Sequence, residues 1–168
     1  CLSGIDVFGD GSPTCKDCKL SVSQIARMVL EPMRQGIRDA NPEAGFISWL
    51  YMAAMAQYSD WIYQIPAELS DDIILAFNFE SGLTREQCGK VRVGGDYWLS
   101  QVGPSDRFGR MAMAARGHCD VAAKLQVACS HELATVPYIP IPAMLYRKYK
   151  PIKQLGVNHA IQCWYFGN

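Results

Sequence analysis

The sequence predicts a mainly α fold, α+β at most, with one small β element and disulfides. Three observations predict it. Apolar residues recur at helical spacing through much of the chain, residues 70–82 read as a short capped helix, and strand signals are confined to one pair around Val91-Arg92-Val93-Gly94-Gly95. Residues 1–20 read as an irregular cysteine-bearing arm without apolar period, and 21–168 as a single helical domain. With 168 residues and 49% hydrophobic content, the chain can bury one real core.

Taken in order, Val22, Ile25, Ala26, Val29 and Leu30 space as a helix from Ser21, which Pro32 should end or kink before it resumes towards Ile37. Asn41-Pro42-Glu43 reads as an N-cap with proline at the first helical position, opening a long apolar run from Phe46 to Ile65. That run nearly reaches bilayer length, but Gln57, Ser59 and Asp60 would be costly in hydrocarbon. It is expected to be the central helix of the domain, stopped by Pro66. The next helix, 69–79, has Ser70 as N-cap, Asp71 and Asp72 against the helix dipole, and Gly82 as terminator. After the hairpin come helices at 105–116 and 119–135, a stiff connector with Pro137, Pro140 and Pro142, a basic helix at 144–150 and a last helix at 154–166.

On a helix, Ile73, Phe77 and Glu80 stand at i, i+4 and i+7, which places a carboxylate on an apolar stripe. Desolvation would raise its pKa and suit it to donating a proton near neutrality. The blander reading is a last-turn glutamate that swings to solvent or pairs with Arg85.

Sixteen basic and sixteen acidic residues cancel, which points away from nucleic acid or an anionic membrane surface as main partner. Seven cysteines suggest an oxidising compartment, secreted or periplasmic, with two or three disulfides and about one thiol left over. Cys1 reads as an ordinary disulfide cysteine, with a lipid-anchored terminus as its second reading. Cys15-Lys-Asp-Cys18 is the one CxxC. His118, His131 and His159 supply neither zinc-ligand spacing nor a nucleophile triad, so no metal or cofactor is expected. Cys119 and Cys129 on one helix would lie about 15 Å apart, too far to bridge each other.

Three motifs in order resemble the lysozyme-like lytic transglycosylases and the similar goose-type lysozymes. Residues 73–82, Ile-Ile-Leu-Ala-Phe-Asn-Phe-Glu-Ser-Gly, are similar to that family's apolar helix ending in Glu-Ser. Trp98-Leu99-Ser100-Gln101-Val102-Gly103-Pro104 resembles its Gly-Leu-Met-Gln-(Ile/Val)-x-Pro, and residues 160–168 resemble its Ala-Ala-Tyr-Asn-Ala-Gly. Glu80 and Gln101 are 21 residues apart, which suits the family's loop with its small β element. The departures are Trp98 or Tyr97 in place of the glycine opening the second motif, and an asparagine missing or shifted in the third.

The resemblance implies a lysozyme-like helical fold over residues 66–168 and cleavage of the β-1,4 bond between N-acetylmuramic acid and N-acetylglucosamine in peptidoglycan. Glu80 would be the general acid and then base, with the oxocarbenium relieved by the substrate itself. A hydrolytic variant would want a second acid, for which Asp96 is best placed; otherwise it is a solvated loop aspartate. Tyr165 would bond the Glu80 carboxyl, Ser81 and Gln101 would hold the site and its acetamido sugars, and Tyr97, Trp98 and Trp164 would stack on sugar faces. Core packing is the equal alternative for Trp164 and Tyr165. The rival function is a non-catalytic, disulfide-stabilised helical interaction module, a secretion or conjugation component or an inactive lysozyme relative, which the departures favour. The two differ in geometry: the enzyme needs Glu80, Gln101 and Tyr165 in an open groove.

Overall fold

The computed structural model describes residues 19–50, 60–94, 98–130, 132, 136 and 138–163. The helices are α1 Val22–Ala40, α2 Asp106–Ala114 and α3 Pro142–Gln154. The strands are β1 Phe46–Trp49, β2 Ile73–Asn78, β3 Thr84–Gln87, β4 Lys90–Val93, β5 Val121–Gln126 and β6 His159–Cys163. The fold is α+β, not the mainly α lysozyme-like domain that the sequence predicts. Four strands form one parallel sheet in the order β1-β2-β5-β6, and β3 and β4 form a separate antiparallel hairpin.

The expected helix at 70–82 is strand β2. Ile73, Leu75, Ala76 and Phe77 are all buried, because an inner strand of a parallel sheet is covered on both faces and loses the period-two alternation that would announce it. The i, i+4 pair Ile73 and Phe77 shares a face in a strand as it does in a helix, so that spacing could not decide. Ser70 and Asp72 are not helix caps. The Ser70 N–H and hydroxyl donate to Glu31 at 2.7 and 2.9 Å. Asp72 accepts from Arg34, with Nη2 at 2.8 Å, and from Arg38 at 3.2 Å, which ties α1 to the turn that opens β2.

The expected helix at 119–135 is in part β5, in which all six residues are buried. Its Ala, Lys, Leu and Gln favour helix intrinsically, but hydrogen bonding to β2 on one side and β6 on the other overrides that preference. The long helix expected at 46–65 begins instead as β1 and ends in short 3-10 segments, Asp60–Gln64 and Pro66–Glu68; residues 51–59 lie outside the described residues. Asn41 does not cap that run but closes α1, its N–H donating to Ile37 O, while its side chain accepts from the Glu43 N–H at 3.1 Å. Of the helix expected at 154–166, Gln154 ends α3, 155–158 are turn and loop, and 159–163 form β6.

The helix starts expected at Ser21 and Ser105 agree with the structure, whereas the stop expected at Pro32 does not. Ser21 and Gln24 form a reciprocal capping box for α1, which runs on through Pro32. Ser105 caps α2 through the Phe108 N–H at 3.2 Å, and the hairpin turns at Cys88-Gly89. The core lies where α2 meets the sheet, with Phe77, Phe79, Phe108, Met111 and Leu125 fully buried and Phe79 edge-on to Phe108 at 4.9 Å. The other parity of the strands carries polar groups. The Trp49 indole N–H donates to Asn78 at 3.0 Å, and the Lys124 ammonium lies 5.6 Å from the Trp49 ring.

Cys88, Cys119 and Cys129 are thiols. That leaves Cys1, Cys15, Cys18 and Cys163, enough for two bridges at most. No described helix is long and apolar enough to cross a membrane.

Candidate functional site

Because the four strands are parallel, their carboxyl ends deliver residues 79–82 from β2 and 127–130 from β5 to one edge of the sheet. In sheets of this kind ligands bind in the crevice outside those ends. Glu80 stands there but faces inward, 2% exposed. Its Oε1 accepts from the Gln126 N–H at 2.9 Å and meets the Lys148 ammonium of α3 at 2.5 Å. Lys148 is itself 0% exposed and donates also to Gln126 O at 3.1 Å. Burial pushes the Glu80 carboxyl up, against the opposing pull of Lys148. Burial likewise pushes the Lys148 ammonium down, against the pull of Glu80. Of the two sequence readings of Glu80, the desolvated one agrees with its burial, though Glu80 follows strand β2 rather than standing on a helix stripe, and the pairing with Arg85 or solvent is replaced by a buried lysine. The expected open groove is filled at this point by α3.

Of the other predicted residues, Ser81 and Gln101 are buried and Trp98 is half-buried. Gln101 packs at the base of the hairpin, where a Cβ on Gly94 would come within 2.9 Å of its Cγ. Its amide nitrogen finds no acceptor among the described residues. Asp96, Tyr97, Trp164 and Tyr165 lie outside the described residues, as does His131. His159 pairs with Asp120 at 3.2 Å at the opposite, amino edge of the sheet. Among the described residues no cluster of His, Cys, Asp and Glu could hold a metal ion.

Beside the Glu80–Lys148 pair, the same edge carries a cleft of about 300 Å³ lined by Leu99, Ser100, Ser130, Glu132, Ile139, Ile141 and Met144. The Ile139 N–H donates to Ala128 O at 2.7 Å, which holds the 139–144 wall against the exit of β5. The polar floor is knitted together. The Ser130 hydroxyl donates to Glu132 Oε2 at 2.8 Å and accepts from the N–H groups of Leu99 and Glu132, both at 3.1 Å. Glu132 also accepts the Ser100 N–H at 2.9 Å and the Ser100 hydroxyl. Partial burial pushes the Glu132 carboxyl up, but the hydrogen bonds from Ser100 and Ser130, with the Arg85 charge, carry it below its ordinary value.

Sequence reasoning missed Lys148, Gln126 and the cleft residues. Lys148 did carry a signal: it follows Leu145 by three and precedes Ile152 by four, on the stripe that α3 buries. The cleft carried none, because only the fold brings residues 99–100 against residues 130–144. Comparison with family models, with curated proteins and with solved structures returned no match.

Proposed function

We propose that this chain binds an aliphatic ligand in the cleft at the carboxyl edge of its parallel sheet. The makeup of the cleft carries this reading. Leu99, Ile139, Ile141 and Met144 line the cleft with apolar surface, while Ser100, Ser130 and Glu132, which also line it, are already engaged with one another. A concave apolar space with a few fixed polar groups suits an alkyl or acyl chain, and about 300 Å³ is at the small end for a ligand pocket. Each methylene that leaves water contributes about 0.8 kcal/mol, so affinity should climb roughly tenfold for each added pair of carbons until the cleft is full. Calorimetric titration with alcohols from hexanol to decanol tests this, with Met144→Asp as the control that should abolish binding. Affinity independent of chain length would end the reading.

One observation favours a second reading, ester hydrolysis. The Ser130 hydroxyl donates to a carboxylate at the end of an inner parallel strand, beside an apolar cleft. Ser130 Oγ would attack the ester carbonyl as Glu132 takes its proton. Glu132 would then return that proton to the departing alkoxide, and water would release the acyl group. Against it, Ser130 is 3% exposed and its oxygen already accepts two N–H groups. Turnover of p-nitrophenyl hexanoate that Ser130→Ala abolishes would establish it. Cleavage of peptidoglycan through Glu80 requires that carboxyl to leave Lys148 and reach solvent. A turbidity assay on purified peptidoglycan, wild type beside Glu80→Gln, decides whether it does.

A further inference from the structure

The β3–β4 hairpin projects beside the cleft, with all eight of its strand residues exposed. Its register sets Arg85 directly opposite Arg92 and Gln87 opposite Lys90, so strand alternation gathers all three cations on one face. The other face carries Thr84 and Glu86 across from Val93 and Val91. Like charges directly opposed across a strand pair are destabilising, and no acid of the hairpin lies on that face to relieve them. None of the three cations makes an ion pair among the described residues. The hairpin base is joined to the cleft. Gly94 closes the hairpin by exchanging hydrogen bonds with Gly82 and Leu83, and it abuts Gln101, whose neighbours Leu99 and Ser100 line the cleft. The Arg85 charge reaches Glu132, which lines the cleft. Among the described residues that line the cleft, Glu132 is the acid that would oppose an incoming anion, and the Ser100 N–H and the hydroxyls of Ser100 and Ser130 already occupy it.

We propose that the ligand is an anionic amphiphile whose aliphatic chain enters the cleft and whose carboxylate or phosphate head is received by Arg85, Lys90 and Arg92 on the hairpin. This rests on the cleft reading above and adds the chemistry of the other end of the molecule. Exposed guanidinium groups standing side by side suit either head, through paired N–H donors.

The test compares decanol, decanoate and decyl phosphate, each below its micelle concentration, on wild type and on Arg85→Gln/Arg92→Gln. Wild type should bind both anions at least about tenfold more tightly than decanol at low salt, with the advantage shrinking as salt rises. The variant, which keeps Lys90, should lose most of the anions' advantage over decanol while decanol itself is unchanged. A phosphate bound more tightly than the carboxylate assigns the head to a phosphate, and equal binding leaves charge alone as the recognised feature. Anions that bind wild type no better than decanol, or an advantage undiminished by loss of both arginines, overturns the proposal and leaves the cleft reading standing. If decanol also fails to bind, the cleft reading falls first and this one with it.

Discussion

The Glu80–Lys148 pair has a consequence opposite to that of a lone buried acid. Were Glu80 unpaired, Glu80→Gln would leave folding unharmed or slightly improved; in this structure it strands a fully buried ammonium. Breaking one side of a buried ion pair costs about 3–5 kcal/mol, whereas replacing both partners is often close to neutral. Urea unfolding should therefore find Glu80→Gln and Lys148→Met each strongly destabilised and the double variant restored most of the way. Additive losses in the double variant would show that the two groups do not meet. The thiols give a second residue-scale prediction. Burial, with Asp120 adding to it, pushes the Cys119 thiol up to about 11, so at pH 8 about one molecule in a thousand carries the thiolate. Native protein should lose exposed Cys88 to alkylation first and Cys119 orders of magnitude later, and denatured protein should show at least three thiols rather than one. Half of the Glu80 environment was legible in the sequence, since flanking apolar residues announce a buried carboxyl. Its partner was not, because Lys148 lies 68 positions away and only the fold brings it near.

At the scale of elements, the helix starts at Ser21 and Ser105 and a helix over 144–150 were legible because their signals are local, whereas the hairpin, expected around residues 91–95, turns instead at Cys88-Gly89. The inner strands β2 and β5 were not, since a strand buried on both faces and a buried helix both read as an apolar run. The joint between α1 and β2 makes a pH prediction. The hydrogen bond from Arg34, outweighing a smaller effect of burial, holds the Asp72 carboxyl below its usual value. A depressed carboxyl contributes stability that is fully present above its unfolded value of about 3.9 and lost as pH falls through the folded one. Asp72→Asn should accordingly weaken the fold at neutral pH and flatten its loss of stability in acid, as urea midpoints between pH 7 and pH 3 would register. Gly103 tests the packing behind the second motif. Its φ is +74°, and a Cβ would lie 2.6 Å from the Phe79 ring and 3.1 Å from Phe79 O. Gly103→Ala should cost about 2–4 kcal/mol, roughly 1 from the backbone and 1–3 from overpacking. A loss under 1 kcal/mol would mean the loop can move off Phe79.

For the whole molecule, the question is which contacts hold the chain as one cooperative unit. Every bond in the parallel sheet joins residues far apart in sequence, β1 to β2 across 27 positions at Phe46↔Ile73 and β5 to β6 across 37 at Ala122↔His159. Such a sheet forms late and opens only when the molecule does. The hairpin is closed locally and wholly exposed, so it opens by itself. Amide exchange should therefore be slowest at Leu75, Phe77, Ala123 and Leu125, at rates that track global unfolding, and fastest across β3 and β4. Lys148→Met should bring the β5 amides closer to the hairpin rates, because the Lys148 ammonium caps Gln126 O at the strand exit. The same spectra decide the fold class. Carbon chemical shifts over 73–78 and 121–126 should be those of extended chain, while 22–40 and 142–154 should be helical. Helical shifts across 73–78 would restore a capped helix ending near Glu80 and, with it, an acid that the sheet no longer holds against Lys148.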